Sequence, residues 1–111
     1  MQENAGAIGA YTKAGLEAVK EAFPTMVGDV RGQGLFLGVE FIHPKSTAEE
    51  IIPHAQLTKW VVDELKRGRV ITSRDGPDGN VLKIKPPLTF SEQDADRLLD
   101  GIKGALESYN E

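Results

Sequence analysis

Three segments repeat their apolar residues every three or four positions, and between them lie shorter runs that alternate or cluster. Ile8, Tyr11, Gly15, Val19 and Phe23 make one stripe of a helix over about 4–22, with Asn4 as N-cap and Pro24 as the stop. Gly6, Gly9 and Gly15 lower its intrinsic helicity, and together with the small Ala10 they permit close approach of another backbone, so this helix is expected to lie against something larger than the rest of the chain. The run Leu35-Phe36-Leu37-Gly38-Val39-Glu40-Phe41 reads as a strand, ended by Pro44. Ser46 with Glu49 and Thr47 with Glu50 are two overlapping capping-box patterns. Pro53 is tolerated only in a first helical turn, so the second helix is expected to start there and to follow a stripe of Thr58, Val61, Val62 and Leu65. Gly68 suits a left-handed C-terminal cap.

A short strand is predicted over 70–73, followed by dense turn chemistry from Asp75 to Asn80. Val81-Leu82-Lys83-Ile84-Lys85 alternates and reads as a strand paired through that turn, closed by Pro86-Pro87. Ser91 caps a third helix with the stripe Ala95, Leu98, Leu99, Ile102, Ala105, Leu106 and Tyr109. The order α-β-α-β-β-α predicts an α+β fold: a small, largely antiparallel sheet with helices packed on it.

Four glycines fall in the thirteen residues from Gly28 to Glu40, with Gly32-Gln33-Gly34 at the centre, which invites a phosphate-loop reading. Such a loop needs a strand before the glycines and a helix after them. Here a helix precedes and a strand follows, so the stretch is read as a loop that feeds the strand at 35–41.

Composition narrows the function classes. The chain has 111 residues, the size of a single domain over 1–111, and a net charge of −4 with acids and bases interspersed. It shows no basic face for nucleic acid, and no apolar stretch of the ~20 residues a membrane span needs. With no cysteine there is no thiolate nucleophile or cysteine metal site, and a cytoplasmic setting is the expectation. His43 and His54 are too far apart in sequence to suggest a metal cluster, and read as a turn residue and a first-turn helix residue. Thr72 and Ser73 have no histidine nearby in sequence, and Glu49-Glu50 is explained by capping. The remaining chemistry lies in Lys83 and Lys85, which should project to one face of their strand. Either they form a solvated, edge-protecting face, or they recognise a carboxylate or phosphate.

Taken in order, Gly28-Asp29-Val30-Arg31-Gly32-Gln33-Gly34-Leu35 with Gly38-Val39-Glu40, then Arg67-Gly68, then Val81-Leu82-Lys83-Ile84-Lys85-Pro86-Pro87-Leu88, then Ser91-Glu92 with Asp94, resemble the C-terminal portion of class III aminotransferases. These are fold-type I enzymes that use pyridoxal 5'-phosphate (PLP). The resemblance covers nearly the whole chain. It implies a small C-terminal domain that forms one wall of an active-site cleft. In the parent, a large domain carries the PLP-bonding lysine, the enzyme is a homodimer, and the substrate is a small amine or amino acid. No segment here resembles the PLP-lysine motifs, so no catalytic residue, cofactor-binding residue or metal ligand is nominated. The isolated chain is expected to hold no cofactor and to be inactive alone.

The family has an arginine where this chain has Lys83, in an Arg-x-x-Pro-Pro-Leu-like pattern, and that arginine serves substrate carboxylate recognition. Lysine lacks its bidentate fork, so Lys83 is the nominated substrate-binding residue and a standard α-carboxylate site is in doubt. The text from Asp75 to Pro87 is most similar to the subgroup with ethanolamine-phosphate and phosphohydroxylysine phospho-lyases, which eliminate phosphate on the same scaffold. The parent's activity is thus expected to be amino transfer from an amine or ω-amino acid to a keto acid, or alternatively phosphate elimination from a phosphorylated amine. A reading from another class is a free-standing α/β binding or regulatory module without enzymatic activity.

Overall fold

The computed structural model describes residues 2–33, 36–84 and 90–109. Helix α1 (Gln2–Ala22) leads into β1 (Val27–Gln33) and β2 (Phe36–Phe41), followed by α2 (Ala55–Arg67), β3 (Ser73–Asp75), β4 (Val81–Ile84) and α3 (Glu92–Ser108). The strands form one antiparallel sheet in the order β1-β2-β4-β3. Alternation sends Val30, Val39 and Leu82 to one face, where they form a single core with Leu16 and Val19 of α1, Leu57, Val61 and Leu65 of α2, and Leu98 and Ile102 of α3. All three helices therefore cover the same face of the sheet. The expected α+β class stands, with four strands in place of three.

The additional strand is the glycine-rich stretch itself. Residues 27–33 pair with β2 along their length, so this segment is not the loop its glycines suggest. Glycines disfavour strands in general, but here they solve local problems. A register shift lies between Val27 and Asp29, and a side chain at Gly28 would put its Cβ 2.7 Å from Ile42 Cγ2. Gly32 has φ 145°, a conformation that side chains rarely adopt. Gly34 and Leu35 lie outside the described residues.

Helix α1 begins at Gln2, so Asn4 sits within it and is not its cap. Its buried line runs through Thr12, Leu16 and Val19, one position off the expected stripe at Tyr11 and Gly15. Thr12 can be buried because its hydroxyl donates to Ile8 O at 2.7 Å, which satisfies the polar atom inside the helix. Tyr11 instead reaches α3, where its hydroxyl donates to Asp96 Oδ1, and that bond above all raises its pKa. Gly15 is explained within the chain. A Cβ there would lie 2.3 Å from Leu99 Cδ1, so the glycine lets α3 close on α1, and no larger neighbour is needed to account for it.

Helix α2 starts at Ala55 with His54 as N-cap, two residues later than the proline suggests. Its C-terminus differs too. Gly68 has φ −84°, and the left-handed residue is Arg69 at φ 66°. A non-glycine residue there costs on the order of 1 kcal/mol, so Arg69→Gly is expected to raise unfolding free energy by up to about 1 kcal/mol. Urea denaturation measures it, and an unchanged midpoint would contradict the strain.

The capping patterns at 46–50 start no helix. Thr47 Oγ1 accepts from Glu50 N at 3.0 Å and Ser46 Oγ accepts from Ile52 N at 2.9 Å, so the same groups fold a loop that runs back beside β2 through an Ile42–Pro53 bridge. The strand predicted at 70–73 falls instead at Ser73–Asp75, because the turn sets the register with Asp75 opposite Val81. Ile71 is left 77% exposed.

Helix α3 follows its expected stripe from Ala95 to Leu106. Its capping box is complete: Asp94 N donates to Ser91 Oγ, and Ser91 N donates back to Asp94 Oδ2 at 3.0 Å. The Ser91 N–H first, and then the Ser91 hydroxyl, which also donates to Asp94 Oδ2 at 3.0 Å, hold the Asp94 carboxyl below the usual aspartate range. A lowered folded-state pKa means that the contribution is present above the unfolded-state value and lost as pH falls through the folded one. Ser91→Ala is expected to cost about 1 kcal/mol at neutral pH. The gap between variant and wild type should narrow in acid, as paired urea melts down the pH scale would show.

Candidate functional site

Lys83 occupies the sheet face opposite the helices. Strand pairing aligns Arg31, Gly38, Lys83 and Ser73 in one row across all four strands. Residues in such a row share a face, so Arg31 and Lys83 flank a position where β2 carries only a hydrogen. The gap is the floor of a shallow cleft of about 340 Å³, lined by Arg31, Gly38, Asp75, Gly76, Val81 and Lys83.

Each cation has a carboxylate beside it. Lys83 Nζ lies 3.2 Å from Asp75 Oδ2, with the lysine side chain 38% exposed. Arg31 contacts Glu40, its neighbour on β2, and its Nε lies 3.4 Å from Asp29 Oδ2. These pairs are open to water, where such contacts contribute about 0–1 kcal/mol. The cleft thus presents two cations that are positioned but only lightly held. Lys85, expected to share the face, lies outside the described residues, as do Pro86, Pro87 and Leu88.

Sequence reasoning reached Lys83 but left Arg31 as part of a motif. The signal that joins them is register, and it became readable only once residues 27–33 proved to be a strand.

A larger groove of about 610 Å³ opens on the helical side, lined by His43, His54, Lys59, Trp60, Asp63 and Tyr109. Its polar groups serve the fold. His54 Nδ1 accepts from Leu57 N at 3.2 Å and caps α2, while His43 Nδ1 accepts from Lys45 N at 3.1 Å. The two rings stack at 5.0 Å, Tyr109 meets His54 edge-on, and Trp60 Nε1 donates to Ala105 O. Among the described residues no group of three His, Cys, Asp or Glu could hold a metal ion, and no helix is long and apolar enough to cross a membrane. Thr72 Oγ1 is buried without a hydrogen-bond partner among the described residues, so it has no base to activate it.

The sequence matches the Aminotransferase class-III family over residues 1–106. This chain belongs to the class III aminotransferase family. An alanine–glyoxylate aminotransferase 2-like protein of Drosophila melanogaster is 38% identical over 96% of this chain and 21% of its own length. Ethanolamine-phosphate phospho-lyase homolog 1 of Caenorhabditis elegans is 38% identical over 76% of this chain and 18% of its own. Among solved structures, a phospholyase from Arthrobacter in complex with phosphoethanolamine superposes with a TM-score of 0.87 at 36% identity, covering 96% of this chain and 24% of that one. The chain therefore spans about a fifth to a quarter of the length of these relatives.

The family implies PLP in the parent enzyme. A lysine that bonds PLP needs a desolvated pocket and a partner for the cofactor's ring nitrogen. Every described lysine of this class III chain is at least partly exposed, and Lys83 is already paired with Asp75. Among the described residues, then, no lysine has the desolvated setting that bonding PLP requires.

Proposed function

We propose that this chain is the C-terminal small domain of a PLP-dependent class III enzyme that releases phosphate from a phosphorylated amine, with Lys83 facing the anionic end of the substrate. The observation that carries this reading is the chemistry of the cleft. Its central cation is an ammonium, a point charge suited to a tetrahedral anion, at the position where the family resemblance implies a guanidinium fork for a planar carboxylate. The likeness to the Arthrobacter phospholyase and the nematode phospho-lyase homologue supports it. Amino transfer is the competing reading, favoured by the likeness to the Drosophila aminotransferase.

In this proposal the bare sheet face meets the large PLP-binding domain of the parent, two such chains pair as a homodimer, and the enzyme works in the cytoplasm. PLP is held by the large domain, and the small domain supplies charge and one wall of the cleft. The experiment is to incubate the PLP-loaded full-length protein with O-phosphoethanolamine and measure inorganic phosphate. Phosphate release without a keto acid is expected. Efficient transamination of an ω-amino acid with no phosphate release would assign the chain to the aminotransferases.

A further inference from the structure

We infer that Arg31 and Lys83 together form a seat for a phosphomonoester dianion over Gly38, and that Asp75 is a built-in competitor which the ligand must displace from Lys83. The inference rests on the substrate-facing reading of Lys83 and adds to it Arg31, the glycine floor and a selection rule.

The geometry starts from register. Arg31 and Lys83 lie directly across β2 from each other at Gly38, about 9–10 Å apart at the backbone by ordinary strand spacing. Both side chains are long enough to converge over the glycine. The glycine is not demanded by the fold. Its φ is not positive, and an added Cβ would make only an ordinary 3.4 Å contact with Val81 Cγ1. What a side chain there would do is fill the space between the two cations.

The selection rule comes from charge. Asp75 offers Lys83 one negative charge at 3.2 Å and is tethered on the adjoining strand, so its effective concentration is high. A free monocarboxylate offers the same charge without the tether and gains nothing by exchange. A phosphate monoester carries about −1.5 to −2 charges and three strong acceptor oxygens, enough to engage Lys83 and Arg31 at once. Glu40 and Asp29 engage two of the three guanidinium nitrogens, Nη2 and Nε, and the five-donor fork has further donors to offer an anion over the gap. The seat therefore favours dianions over monocarboxylates without excluding the latter sterically.

The test uses the 111-residue chain and NMR, with inorganic phosphate as the first probe at constant ionic strength. Saturable shifts confined to Lys83 Nζ, Arg31 Nε and the Gly38 amide are expected, with acetate giving none. Asp75→Asn removes the competitor and should tighten phosphate binding about two- to five-fold, the size of an exposed pair. Gly38→Val should abolish the response while the remaining amide spectrum shows the fold intact. A merely structural Asp75 would not yield tighter binding on removal. O-phosphoethanolamine and pyridoxine 5'-phosphate, which lacks the aldehyde, then separate a substrate phosphate from the cofactor's. The seat is overturned by shifts spread over all lysines, by no saturable response, by Asp75→Asn leaving affinity unchanged or weaker, or by Gly38→Val binding as wild type does. It is also overturned if only the pyridoxine ester competes. Phosphate release by the full-length protein is a separate measurement, so the seat and the proposed activity can fail independently.

Discussion

Phe41→Ala is expected to lower the unfolding free energy by about 3–5 kcal/mol, a large share of the 5–15 kcal/mol typical of a domain. Phe41 is fully buried at the end of β2, and its backbone is a junction. Its N–H donates to Asn80 O at 2.8 Å, and its carbonyl accepts from Asn80 Nδ2 at 3.0 Å and from His54 N at 3.2 Å. The ring thus packs at the point where β2, the turn before β4 and the cap of α2 are tied together. Truncation leaves a cavity that cannot close without straining these bonds. Urea unfolding should show a lower midpoint with an unchanged slope. A loss below about 1 kcal/mol would mean that the core relaxes around the site far more easily than these ties allow. Val62→Ala is a suitable control, since Val62 only borders the core and should cost much less.

Lys83→Ala, in the full-length PLP-loaded protein, is expected to lower kcat/KM for O-phosphoethanolamine about ten- to a hundred-fold, the loss of one charge-assisted hydrogen bond of about 1.5–3 kcal/mol. The fold should tolerate the change, because Lys83 lies on the face away from the core and its pairing with Asp75 is exposed. Lys83→Arg is the sharper comparison. It keeps the charge and restores the fork, so phosphate elimination should fall less than in the alanine variant, with no gain in turnover of an ω-amino acid. Alanine kinetics equal to wild type would remove Lys83 from the substrate site.

The positions where sequence pattern and structure part company share a cause. Helices α2 and α3 were legible from their stripes, because an amphipathic period is a local property that burial then uses directly. The Ser91–Asp94 cap was legible for the same reason, since its partners lie three residues apart. The capping patterns at Ser46 and Thr47 are equally local, yet they fold a loop, because the Ile42–Pro53 bridge brings the two ends of the segment together just past β2. Strand β1 was hidden, because its glycines oppose strand formation locally and its support comes from pairing with β2. Helix α1 kept its end at Ala22 but begins before Asn4, and its face shifted by one position at Thr12 and Leu16, since Leu99 docking at Gly15 sets the rotation and a self-bonded Thr12 can be buried.

Sequence alone established the class III resemblance, the α+β plan and the nomination of Lys83. Each depends on which residues occur in which order. Tertiary structure decided the neighbours of Lys83: Arg31 across an empty position at Gly38, and Asp75 on the adjoining strand. Those relations arise from strand register, a non-local property set by how the chain pairs and where its core is buried.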